Sequence, residues 1–130
     1  MRYVPTIIFA ILFLGLTGVA TAQIYRVNGE LIPGTELIVP GPGVDLSGLE
    51  LQQARLGRSN LRQADLQNAD LTESDLSRSQ LNQANLSSTD LTRVRFDHAT
   101  MHGANLQSAK LIRANLSYSQ CNAPFAPALS

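Results

Sequence analysis

Residues 64–73 read Ala64-Asp65-Leu66-Gln67-Asn68 and then Ala69-Asp70-Leu71-Thr72-Glu73, one five-residue pattern written twice in succession. Outward from this pair the pattern continues both ways. Leucine stands at Leu46, Leu51, Leu56, Leu61, Leu66, Leu71, Leu76, Leu81, Leu86, Leu91, Leu106, Leu111 and Leu116. Phe96, Met101 and Cys121 fill the remaining places of the series, giving sixteen units without an insertion. Two positions before each series residue stands a small or apolar one, such as Ala54, Ser74, Ala84, Thr89 or Val94. A fixed period is the first thing to establish, because the architecture follows from it.

A period of five suits neither standard element. On an α-helix each step of five advances about 140°, so the leucines would smear around the cylinder. On a flat strand the odd spacing sends successive leucines to opposite faces. The chain must instead turn within every unit and return each large residue to one interior. The large residue and the small one two places earlier then point inward. The remaining three residues of each unit point outward, as Asp65, Gln67 and Asn68 do in the first unit quoted. Such a coil needs neighbours to complete its hydrogen bonds, so stability is built unit by unit along one axis.

These units, together with Ala84-Asn85-Leu86-Ser87-Ser88, resemble the pentapeptide-repeat family, whose consensus is A-(D/N)-L-x-x. Nine of the sixteen units keep Asp or Asn before the central residue. The resemblance implies an all-β fold, a right-handed quadrilateral β-helix with four units per coil and about four coils. At the spacing of neighbouring strands the rod would be about 20 Å long. Four units per coil sort the interior into four columns: Leu46, Leu66, Leu86 and Leu106; Leu51, Leu71, Leu91 and Leu111; Leu56, Leu76, Phe96 and Leu116; Leu61, Leu81, Met101 and Cys121. Cys121 is thereby expected to be an inert interior filler near an open end, since apolar surroundings raise a thiol pKa.

Both ends of a solenoid need covers. Residues 1–22 are of another kind: Arg2, an apolar run from Ile7 to Leu16, and Ala20-Thr21-Ala22. That is the three-part pattern of a secretory signal peptide, with cleavage expected between Ala22 and Gln23. The alternative is an uncleaved anchor. Cleavage makes the protein an exported bacterial member, periplasmic or extracellular, with no membrane attachment of its own. Residues 23–43 carry two apolar runs about Asn28-Gly29, a hairpin signal, followed by Pro40-Gly41-Pro42-Gly43. They are expected to form a short β-like cap on the repeat domain of residues 44–123. The tail, 124–130, is too proline-rich for a helix, and Phe125 is expected to fold over the last coil. It is also too short for the helical extension through which some family members dimerise, so the expected state is a monomer or a weak end-to-end dimer.

The 130 residues carry ten basic and ten acidic side chains. Losing Arg2 with the leader leaves a net charge of −1. Near-neutrality removes the usual warrant for nucleic-acid binding, and a single Cys excludes an internal disulfide framework. Stacking by twenties puts Arg55, Arg58, Arg78, Arg95, His98 and Tyr118 on one outer face, with Asp75 and Asp97. This weakly basic face is the candidate interaction surface. Its neighbour carries Glu50, Asp70, Glu73 and Asp90, then Arg93, Lys110 and Arg113.

No catalytic, cofactor-binding or metal site is expected. His98 and His102 fall on different outward faces, whereas metal ligands converge. Asp97-His98 has no positioned nucleophile beside it. Asp70 and Asp90, one coil apart, have the spacing of a retaining glycosidase pair, but a regular acidic ladder is ordinary for this repeat. Asn85-Leu86-Ser87 and Asn115-Leu116-Ser117 match glycosylation sequons that the repeat itself generates. The best-supported reading is an exported non-catalytic scaffold or protein-interaction module, its partner a protein or an envelope component. Two alternatives belong to other classes: a DNA mimic protecting a topoisomerase, and a surface carbohydrate-binding β-helix.

Overall fold

Each five-residue unit closes on itself before it meets a neighbour. In the computed structural model, which describes residues 23–35 and 38–122, the carbonyl of the central residue accepts the amide three residues on. Leu66 O takes Ala69 N at 3.1 Å, and Leu71 O takes Ser74 N at 3.0 Å. The residue before that amide has positive φ, as a type II turn requires. Every fifth residue from Gly43 to Tyr118 adopts this conformation. Only Gly43, Gly48 and Gly103 are glycines; the other thirteen have φ between 56° and 62°. An L-residue is held there at a cost of about 1–2 kcal/mol, so packing elsewhere must offset it.

Stacking supplies the offset. Parallel bridges join Asp45 to Asp65, Asp65 to Asn85 and Asn85 to Asn105, and three further ladders begin at Glu50, Arg55 and Asn60. Every step is twenty residues, so four units make one circuit, as the interior columns require. Each bridge is a single residue wide, and no extended strand occurs among the described residues. The expected all-β character lies in the ladders, because a chain that turns every five residues has no room for a longer strand. The first turn also comes earlier than the expected boundary at 44. Val44 N already bonds Gly41 O at 3.2 Å, and Gly43 N bonds Arg62 O at 2.8 Å.

The columns fill the interior. Leu46 through Leu91, Phe96 and Met101 are at most 1% exposed. Each full burial of a leucine contributes about 1.5–3 kcal/mol. Ser74, Ser79 and Thr89 occupy small inward positions, and their hydroxyls donate to the carbonyls of Leu51, Leu76 and Leu66 at 2.8, 2.6 and 2.8 Å. No buried hydroxyl of this set is left unsatisfied.

The final circuit departs from expectation. Leu116 is 38% exposed, and Cys121 is an exposed free thiol rather than a buried filler. Interior side chains are covered by the circuits before and after them, and among the described residues no circuit follows these two. The expected cover by Phe125, the 124–130 tail and the leader 1–22 all lie outside the described residues.

The opposite end is sealed. Gly29, at φ 90°, turns a hairpin in which Arg26 N bonds Glu30 O at 2.7 Å and Tyr25 bridges Leu31. The outer side of this hairpin runs antiparallel to the first circuit: Val27 N bonds Gln53 O, and Arg55 N bonds Tyr25 O, both at 2.7 Å. Ile24 and Ile32 are thereby buried to 1% exposure in the common core.

Candidate interaction face

The ladder Arg55–Asp75–Arg95–Asn115 forms the spine of the third face. Three residues on, the corner column runs Arg58, Arg78, His98, Tyr118. Their amides donate upward in turn: Arg58 N to Ser77 O at 2.8 Å, Arg78 N to Asp97 O at 2.9 Å and His98 N to Ser117 O at 3.0 Å. The backbone of this column is committed to the fold, and its side chains are exposed. All six expected face residues therefore share one side of the rod.

They do not act as one patch. In the upper half Arg95 is paired, with Asp97 at 3.3 Å and Asp75 at 3.7 Å. The His98 and Tyr118 rings stack at 5.0 Å, 8° from parallel. In the lower half, no ion pair or hydrogen bond among the described residues engages the guanidinium of Arg55, Arg58 or Arg78. Open positive charge is therefore concentrated on the circuits nearest the cap. Between these cations stands Asp75. Burial would raise its pKa, but hydrogen bonds from Ser77 and the charges of Arg95 and Arg55 hold it below the usual carboxylate range.

The sequence lattice does not show that this lower half is concave. The cap overhangs it, leaving a cavity of about 670 Å³ with Gln23, Tyr25 and Gly29 on the cap side. Arg55, Gly57, Arg58, Asp75 and Ser77 line the other side. One signal was available: among the sixteen residues that follow the central position, Gly57 is the only glycine.

The neighbouring face is internally neutralised. Glu73 pairs with Arg93 at 2.9 Å and Asp90 with Lys110 at 3.1 Å, while Gln52 Nε2 donates to Asp70 at 2.7 Å. Burial pushes Asp70 and Asp90 upward, but the hydroxyl and amide of Thr72 and Thr92, with Gln52 and Lys110 respectively, outweigh it and both pKa values fall. A glycosidase pair needs one carboxyl raised to serve as acid, and this pair has none. His102 Nδ1 lies 2.8 Å from Asn122 Oδ1, away from the stacked His98. Among the described residues no three His, Cys, Asp or Glu side chains converge on a metal-sized site.

The sequence matches the family described as Pentapeptide repeats, in eight copies over residues 43–78 and 79–117. Several solved structures resemble the chain. HetL, a pentapeptide repeat protein involved in heterocyst differentiation regulation from the cyanobacterium Nostoc sp., is 40% identical. That match covers 56% of this chain and 37% of HetL, with a TM-score of 0.42. A pentapeptide repeat protein from the Arabidopsis thaliana thylakoid lumen is 24% identical, over 65% of this chain and 66% of that one, with a TM-score of 0.35. QnrB1, a plasmid-mediated fluoroquinolone resistance protein, is 20% identical over 63% of this chain and 51% of its own, with a TM-score of 0.27. The chain thus spans less than two thirds of the length of these relatives. No curated protein sequence matches it.

Proposed function

Because the chain belongs to the pentapeptide-repeat family, we propose that it is an exported, non-catalytic scaffold whose third face docks a partner protein. One observation carries the reading. Backbone and interior are consumed by the coil, while Arg55, Arg58 and Arg78 stand on one side with no ion pair or hydrogen bond among the described residues at their guanidiniums. Free cations on a rigid backbone orient a partner at low conformational cost. The near-neutral remainder of the surface supports a local face rather than a uniformly charged rod. The signal-like pattern of residues 1–22 supports an encounter in the periplasm or outside the cell.

The test is site-specific photo-crosslinking in living cells, with the reactive group at position 78 and, separately, at position 113 on the neighbouring face. A discrete protein adduct from position 78 alone is the expected result. Equal, diffuse labelling from both positions would remove the docking face. N-terminal sequencing of the accumulated protein is expected to begin at Gln23. An abundant cytoplasmic form with its leader intact would overturn export and return topoisomerase mimicry to consideration.

A further inference from the structure

We propose that the cleft beneath the cap seats a carboxylate of an acidic peptide segment, on the Gly57 amide and between the Arg55 and Arg58 guanidiniums. This deepens the docking-face reading and rests on it. The other units show the pattern from which this one departs. In nine of them, an Asp or Asn before the central leucine accepts the amide two residues on. Asp65 takes Gln67 N at 3.0 Å, Asp70 takes Thr72 N at 2.9 Å, and Asp75 takes Ser77 N at 2.9 Å. The same bond recurs from Ser47, Arg62, Ser87, Thr92, Gln107 and Ser117. The fold thus has a built-in place for an acceptor oxygen in front of that amide.

In the unit 54–58 the acceptor is replaced by a cation. Arg55 occupies the Asp/Asn position, and the Gly57 N–H donates to no group among the described residues. Other units lacking Asp or Asn, such as those at Gln80 and Lys110, carry a side chain at the following amide and do not line the cleft. Glycine is what keeps this hollow empty. A Cβ at position 57 would lie 3.3 Å from Ser77 O, 3.4 Å from Ser77 Oγ and 3.5 Å from an Asp75 carboxylate oxygen. The cleft therefore offers an unpaired backbone donor and, in its lining, two guanidiniums without a hydrogen bond or ion pair, of which Arg55 meets Asp75 only through its charge. Charge-assisted bonds from amide and guanidinium are what a carboxylate seeks.

The remaining wall narrows the ligand class. Asp75 is held ionised across the cleft, so a multiply charged phosphate or a sulfated polymer would meet repulsion. A single carboxylate carries less charge and meets less of that repulsion, which the donors flanking it offset. A peptide supplies both, since its own N–H groups can bond Asp75 and the Gly57 carbonyl, which accepts no bond among the described residues. The half-exposed Tyr25 ring gives an apolar wall for the segment's aliphatic carbons.

Amide resonances of the ¹⁵N-labelled full chain, processed as in its host, provide the test. The probe is the blocked tripeptide acetyl-Gly-Asp-Gly-amide, with its Asn counterpart, glucuronate and inorganic phosphate as comparisons. The Asp peptide is expected to shift the Gly57 resonance saturably. Binding should be about tenfold weaker for the Asn peptide and for Arg58→Ala, the loss of one charge-assisted bond. Gly57→Ala should weaken it similarly, and Arg113→Ala should leave it unchanged; dispersed spectra elsewhere confirm that each variant folds. No shift at Gly57, an equal response to the Asn peptide, or preferential saturation by glucuronate or phosphate overturns the proposal. A partner captured through position 78 that the Asp peptide does not displace refutes the cleft and leaves the docking face standing. Failure to capture any partner refutes the docking face itself.

Discussion

Leu76 and Arg78 stand two residues apart, and the coil gives them opposite duties. Leu76 is fully buried in the third column, whereas Arg78 is exposed at a corner with its guanidinium unengaged. Leu76→Asp places an unpaired carboxylate among leucines, at a cost of several kcal/mol, and is expected to abolish the cooperative melt. Arg78→Ala removes no contact of the fold and should leave the melting temperature within a few degrees of the parent. Thermal unfolding followed by circular dichroism compares them, and equal melting temperatures would overturn the column assignment. The corners carry a second expectation. Gly48 has φ 66° with open space where a Cβ would lie. Gly48→Ala therefore meets backbone strain and no clash, and should cost about 1 kcal/mol in urea unfolding. The left-handed corners could not be read from composition, because thirteen of sixteen are filled by residues such as Gln63 and Arg93 that ordinarily avoid the conformation. Closure of the leucine lattice imposes it on them.

At the scale of the turn, carboxylates do structural work that pH can withdraw. Asp75 is pushed up by burial but brought below its ordinary value by the Ser77 hydroxyl and amide, then by Arg95 and Arg55. Asp70 and Asp90 are depressed in the same sense through Thr72 and Thr92. A depressed folded pKa stabilises the protein above the unfolded value of about 3.9, and the contribution drains away as pH falls through the lower folded value. Stability should therefore be nearly flat between about pH 7 and 5 and decline below about pH 4. Asp75→Asn keeps an acceptor for Ser77 N but removes the titration, so urea midpoints measured across that range should show a shallower acid slope. An unchanged slope would mean that the turn carboxylates are not the groups being titrated. Legibility divides at this scale. Arg55, Arg58, Arg78, Arg95, His98 and Tyr118 could be placed on one face by counting in twenties. The cleft could not, because it arises where residues 25–27 pair antiparallel with residues 53–55, a contact outside the repeat. Cys121 was misplaced for the complementary reason: the lattice assigns it an inward direction and says nothing of whether a further circuit covers it.

For the molecule as a whole, the twenty-residue circuit is the unit of editing. Deleting residues 65–84 removes one circuit and joins Ala64 to Asn85, preserving both the inward series and the bridge register. That variant should unfold cooperatively at lower stability and with a smaller denaturant slope, in proportion to the surface it no longer buries. Deleting only residues 65–67 turns every later leucine out of the interior and should leave no cooperative transition. Comparable urea curves for the two would be incompatible with a stacked coil. The one-residue bridges carry a wider consequence. Because each face receives one rung per circuit, location on the surface is a matter of remainder and quotient. The remainder of a residue number after division by twenty names the side of the rod, and the quotient names its height, at about 4.8 Å a step. Asp75 and Arg95 are vertical neighbours because they differ by twenty; Asp70 and Asp75 lie a quarter-turn apart because they differ by five. Such a surface is an addressable grid, on which a charge can be moved up, down or around by arithmetic while the leucines beneath it stay untouched.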